Sequence, residues 1–256
     1  MQRLATASVD WSTGSPRDPV TGDAWCDGED PGGEARHVFV VGNDLPSRFA
    51  AMGPDDSCTV AEIGLGFGRT LCAVVAAFLG AAPPTARLEV LSFERSPLPR
   101  EEARRGLAWC GADPAVAAEL LEQWPEPLAG IEPLRLAGGR VRGLLVLGEV
   151  ADTLPRMRVP GGVDAWCLDG FAPARDDSGW GESVLAAVGR LTAPGGTLAT
   201  WTVAAAVRGR LAAAGFELQR RPGHGRKRDM TVGRLAAADR SPSRAGRPRS
   251  ATVLGG

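Results

Sequence analysis

Short apolar runs alternate along this chain with longer stretches whose apolar positions recur at helical spacing, and glycine or proline marks most junctions. HVFVVGN (37–43) predicts a short strand ending in a turn, and CTVAEIGLGFGRTLCAVVAAFLG (58–80) predicts strand, glycine loop and helix in succession. A strand follows at Arg87 to Glu94, then helical segments from Pro97 to about Leu121. Two strand-like runs, PLRL and RVRGLLVLGEV, meet at Ala137-Gly138-Gly139, and a helix follows Glu149. Beyond it the pattern predicts a strand at Val163–Leu168, a helix at Glu182–Leu191, a strand at Gly196–Trp201 and a helix at Ala204–Ala214. FELQRR and DMTVGRL close the series as two strands around a Gly-rich turn. Strands alternating with helices predict an α/β fold, a mostly parallel sheet covered on both faces with a hairpin at its edge.

The ends lack this pattern. Residues 1–34 are rich in Gly, Pro, Asp and Ser and read as a loop or poorly ordered lead-in; residues 35–235 read as one catalytic domain, and residues 236–256 as a disordered tail. At 256 residues, 44% hydrophobic and 23% charged, the chain is composed like a soluble globular protein. It has no apolar run near the ~20 residues that span a bilayer. MQRLATASVDWSTG lacks the apolar core of a secretory signal, so a cytoplasmic protein with no membrane partner is expected.

The five cysteines are scattered and never spaced C-x-x-C, which argues against a disulfide framework and a zinc site. With only His37 and His224, a His-rich metal centre or a Ser-His-Asp triad is hard to build, and no metal is expected. The net charge of −1 gives no global pull toward nucleic acid. From Ala205 to Arg228, however, seven basic residues, among them Arg226, Lys227 and Arg228, stand against Glu217 alone; such a patch is either a phosphate contact or a solvated face.

In AEIGLGFGRT, Glu62 precedes a G-x-G-x-G spacing of Gly64, Gly66 and Gly68 between a strand and a helix. Glycines there let backbone approach a ligand, and the helix N-terminus can meet an anionic group. Glu94 ends the next strand, where a carboxylate can accept both hydroxyls of an adenosine ribose. Glu149, ending LLVLGEV, falls along the same sheet edge, within reach of adenine. S-adenosylmethionine carries an ammonium and a sulfonium, so acids beside the loop favour it over a dinucleotide, whose pyrophosphate they would repel. The closing antiparallel pair points the same way.

Asp169 follows the strand VDAWCL and precedes Gly170-Phe171-Ala172-Pro173. Methyl transfer from a sulfonium needs a neutral lone pair in line behind the methyl, and a carboxylate can orient an amine and accept its N–H. At an ordinary pKa Asp169 is a weak base toward an ammonium, so positioning comes first and proton acceptance second. Phe171, with Pro173 behind it, either stacks on a base or seals the core.

The segments VFVVGNDLPSRF, AEIGLGFG, LSFERSPL, QWPEPLAG, GGRVRGLLVLGEV, LDGFAPAR, PGGTLATWT and GHGRKRDMTVGRL together resemble the methyltransferase domain of the tRNA 5-methylaminomethyl-2-thiouridine biosynthesis family, MnmC, over roughly residues 36–235. The resemblance implies a class I, Rossmann-like S-adenosylmethionine-dependent methyltransferase with a seven-stranded sheet, acting on the aminomethyl group of a wobble uridine in tRNA. It implies that Glu62, Gly64, Gly66 and Gly68 form the methionine-side loop, Glu94 binds ribose, Glu149 stands at adenine and Asp169 is the catalytic carboxylate. Three positions depart from the family pattern: Glu149 replaces an aspartate, FGRTLC replaces a segment carrying T-G-L-N-F, and DAWCD replaces D-V-Y-F-S.

The chain ends before any FAD-dependent oxidase domain, so no flavin is expected, and a separate enzyme would supply the aminomethyl substrate. Two other readings keep the cofactor site: methylation of a small amine or another RNA, and a degenerate module that binds cofactor or RNA without turnover.

Overall fold

A computed structural model describes residues 2–26, 28–225 and 227–236. Eight strands form one sheet: β1 (Ser57–Ile63), β2 (Arg87–Glu94), β3 (Gly130–Leu136), β4 (Val141–Leu147), β5 (Val163–Leu168), β6 (Thr192–Thr200), β7 (Phe216–Pro222) and β8 (Asp229–Leu235). Their order is β3-β4-β2-β1-β5-β6-β8-β7. The run from β4 to β6 is parallel, whereas β3 on β4, β8 on β6 and β7 on β8 are antiparallel. The sheet therefore has one strand more than the seven expected, because the PLRL run extends into β3 and pairs along the outer edge of β4.

The helices are α1 (Pro31–Ala35), α2 (Leu45–Ala50), α3 (Arg69–Ala81), α4 (Arg100–Trp109), α5 (Pro114–Glu122), α6 (Val150–Thr153), α7 (Glu182–Leu191) and α8 (Ala205–Ala213). Alternation within the strands divides the core in two. Cys58 and Val60 of β1 and Leu88 and Val90 of β2 pack with Val75 and Phe78 of α3. Ala61, Ile63, Leu91 and Phe93 point the other way, toward Leu185 and Val188 of α7 and Leu211 of α8. Burial on both faces is what a parallel central sheet requires.

HVFVVGN is not a strand. Asp30 caps α1 by accepting the Gly33 N–H at 2.8 Å, Pro31 opens the helix, and a π-helical turn over Arg36–Val41 carries it on. Val38, Phe39 and Val40 are all buried, so the run has no polar face to reveal its period, and tertiary packing overrides its β-branched composition. Asn43, just beyond, is wholly buried and ties this turn to the sheet: its amide donates to the Phe39 and Trp166 carbonyls, each at 3.0 Å, and its oxygen accepts from Thr197 Oγ1 at 2.8 Å.

The lead-in forms no long element, yet it is bound along its length to the body. Leu4 N–H donates to the Pro127 carbonyl at 2.8 Å, and Trp11 Nε1 to Glu102 at 2.8 Å. Asp23 accepts the Ala172 N–H at 2.7 Å, and Arg175 donates to the Thr21 carbonyl. The part of the expected tail from residue 237 onward lies outside the described residues.

Candidate active site

The chain reverses direction across the sheet between β1 and β5, so the C-terminal ends of β1, β2 and β5 converge where an open α/β sheet places its ligand. Gly64 leaves β1 with φ +95°, and a Cβ there would lie 2.1 Å from the Asp169 carbonyl oxygen; only glycine lets the ends of β1 and β5 approach this closely. The Asp169 N–H donates to the Ile63 carbonyl at 3.0 Å, fixing the end of β5 against β1. Gly66, at φ +52°, presents its N–H to Glu94 Oε2 at 3.0 Å, while Glu94 Oε1 accepts from the Ser96 N–H at 2.9 Å. The glycine loop and the end of β2 are thus a single hydrogen-bonded unit.

A cavity of about 820 Å³ opens over this unit. Gly64, Gly66, Glu94, Glu149, Asp169, Phe171 and Lys227, from five separate segments of the chain, line it. Glu62, Gly68, Pro173 and Arg228 do not. Glu62 is buried with Oε1 accepting from Ser92 Oγ at 2.6 Å, and among the described residues its Oε2 meets no hydrogen-bond partner. Burial pushes its pKa up to about 8, against the Ser92 hydrogen bond. Gly68 begins α3 and packs against Leu120, and Arg228 is exposed. Arg226 lies outside the described residues.

Asp169 is the most elaborately held group in the cavity. Its Oδ2 accepts from Arg69 Nη2 at 3.1 Å and Thr70 Oγ1 at 2.9 Å. Arg69 Nη1 donates to Glu34 Oε2 at 2.8 Å and to the Pro31 carbonyl at 2.9 Å. Glu34 Oε1 in turn accepts from Lys227 Nζ at 2.7 Å, and Lys227 lies 4.0 Å above the Trp201 ring. Lys227 thus stands at the cavity wall as the end of a chain of alternating charges that runs through Glu34 and Arg69 to Asp169. Burial raises the Asp169 pKa, Arg69 opposing most strongly, followed on the raising side by Glu34. That shift makes Asp169 a better proton acceptor than a carboxylate at its ordinary pKa.

Three of these partners, Glu34, Arg69 and Thr70, were not singled out from the sequence. Nor was Trp25, whose ring stands 5.1 Å from Phe67 and 5.2 Å, edge-on, from Phe171 at the cavity wall. Phe171 is thus neither a core seal nor an isolated platform: it belongs to an aromatic corner built jointly with the lead-in. The signal for that corner was the pair Trp11 and Trp25 in an otherwise polar segment. Among the described residues, no group of three or more His, Cys, Asp or Glu could hold a metal ion, and no helix is long and apolar enough to cross a membrane.

Residues 113–236 match a family described as S-adenosyl-L-methionine-dependent methyltransferase. Over 99% of its length the chain is 38% identical to a tRNA 5-methylaminomethyl-2-thiouridine biosynthesis bifunctional protein MnmC from Aeromonas hydrophila, covering 40% of that protein. Over 97% it is 39% identical to the protein of the same name from Stutzerimonas stutzeri, covering 39% of it. The chain thus spans about two fifths of the length of these curated relatives. MnmC2 from Aquifex aeolicus has the same fold, with a TM-score of 0.69 at 18% identity, over 91% of this chain and 71% of that one.

Proposed function

We propose that this chain, homologous to the methyltransferase part of the MnmC proteins, methylates the primary amine of 5-aminomethyl(-2-thio)uridine at the wobble position of tRNA, using S-adenosylmethionine. The observation that carries this reading is Asp169, held at the cavity wall beside the glycine loop with one oxygen clamped and the other open. The residues present suit the cofactor. Gly64 and Gly66 leave backbone bare at two positions of the loop, Glu94 and Glu149 put carboxylates on the cavity wall, and the volume of about 820 Å³ admits both a nucleoside-sized cofactor and part of a substrate. When bound, the cofactor supplies a methyl group on a sulfonium, whose C–S bond breaks as the amine nitrogen forms its new C–N bond.

The chain's own residues prepare the amine. Asp169 Oδ1 accepts an N–H of the incoming group, orients its lone pair and takes up the proton released as the product forms. The aromatic corner of Trp25, Phe67 and Phe171 presents apolar surface beside Asp169, excluding water from the reacting nitrogen. Glu94 offers its remaining lone pairs to ribose hydroxyls while the Gly66 and Ser96 N–H groups hold it still.

The test is incubation of purified protein with methyl-labelled S-adenosylmethionine and tRNA carrying 5-aminomethyl-2-thiouridine. Label in that nucleoside is expected. Label in a small amine or another RNA alone would move the substrate assignment, and cofactor binding by calorimetry without any transfer would leave only a binding module.

A further inference from the structure

Asp169 is buried among charges that pull its ionisation in opposite directions. From α3, Arg69 faces it directly; from α1, Glu34 stands behind Arg69; from the turn between β7 and β8, Lys227 stands behind Glu34. The Asp169 charge in turn acts on Glu62 of β1, Cys167 of β5 and Cys110 after α4, disfavouring ionisation of each. The ion pair has side-chain exposures of 7% for Arg69 and 16% for Asp169, so water screens it little. Arg69 also has no freedom to turn elsewhere, because Glu34 and the Pro31 carbonyl hold its other nitrogen.

Both hydrogen bonds to Asp169 arrive at Oδ2, and among the described residues Oδ1 receives none. We propose that Arg69 is a positioning residue for Asp169, clamping Oδ2 from the α3 side so that Oδ1 faces the cavity as the carboxylate oxygen that receives the substrate amine. The inference rests on the amine-methylating reading above and gives that site a residue, just past the glycines, that holds the reacting carboxylate in place. In this role Arg69 acts through Asp169. The charge of Arg69 favours the ionised carboxyl against burial and Glu34, and its planar fork fixes which oxygen is free. Glu34, itself fixed by Lys227, sets the orientation of Arg69.

The cofactor-free protein can test this. Difference infrared titration of the wild type against Asp169→Asn isolates the Asp169 carboxyl band. Arg69→Met should move its midpoint up by about 1–3 pH units, the range expected for loss of a close opposite charge. Arg69→Lys should restore most of that shift, and Glu34→Gln, which removes a neighbouring negative charge but keeps an acceptor for Arg69, should move the midpoint down. In the methylation assay the acidic limb of kcat/KM should follow the same order. If Arg69→Met fails to fold, the opposite shift in Glu34→Gln still decides the matter. Unchanged midpoints, or shifts of the same sign in both variants, would overturn the proposal. An absence of methyl transfer by the wild type would instead remove the proposed function while leaving the infrared result interpretable.

Discussion

The two walls of the cavity are held in different ways. The sheet-side wall is backbone: strand ends in register, Gly64 against the Asp169 carbonyl, and main-chain hydrogen bonds linking β1, β2 and β5. The lead-in wall is side chains: Trp11 on Glu102, Asp23 on the Ala172 N–H, and Trp25 against Phe67 and Phe171. Backbone packed into a sheet core cannot shift without breaking several contacts together, whereas side-chain contacts on a loop fail one by one. The first wall is therefore suited to fix a cofactor and a reacting carboxylate, and the second to shape what enters beside them.

The sharpest way to break this division is Gly64→Ala. Its Cβ meets backbone at 2.1 Å in a conformation with φ +95°, so a loss of about 2–4 kcal/mol in urea unfolding is expected, with cofactor binding lost in parallel. Wild-type stability would mean that the two strand ends have slack.

A pH effect from the same wall comes next. The Glu62 carboxyl has its pKa raised from 4.5 to about 8 in the fold, so the folded state binds the extra proton. Its contribution is fully present below pH 4.5 and is lost as pH rises through 8. Glu62→Gln should flatten that decline in denaturation midpoints between the two values, by an amount on the order of a few kcal/mol. A parallel decline in the variant would show that another group drives it.

On the other wall, Trp25→Ala should cost about 1–3 kcal/mol of stability at most and raise KM for tRNA more than it lowers kcat. Equal damage to cofactor affinity, read by calorimetry, would erase the distinction between the walls. The smallest effect is expected at Arg228. It is exposed while Lys227 is tied to Glu34, so Arg228→Ala should reduce the salt slope of tRNA binding by about one if it meets a phosphate.

The two walls also differ in how much of them the sequence discloses. Glycine spacing, the acid ending β2 and the acid ending β5 are local patterns, and each falls within a few residues of a strand end. Asp169, Glu94 and Gly66 therefore read from the sequence as neighbours along one sheet edge, and all three line the cavity. Glu34, Arg69 and Lys227 join only in three dimensions, since 193 residues separate Glu34 from Lys227, and each alone reads as an ordinary surface charge. HVFVVGN fails for another reason: Val38, Phe39 and Val40 are buried in succession and the exposed Val41 is itself apolar, so no polar position marks a helical period. The lead-in has the Gly, Pro, Asp and Ser content of any loop, and composition does not distinguish a free loop from one pinned by Trp11, Asp23 and Trp25.

If the sheet-side wall divides cofactor binding and chemistry between different residues, a change at Asp169 separates the two. Asp169→Asn tests that division most directly, with S-adenosylmethionine affinity measured by calorimetry and methyl transfer to aminomethyl-bearing tRNA measured on the same preparation. Nearly unchanged affinity is expected, with transfer reduced by about 100-fold or more. Equal loss of both, or transfer that survives intact, would contradict it.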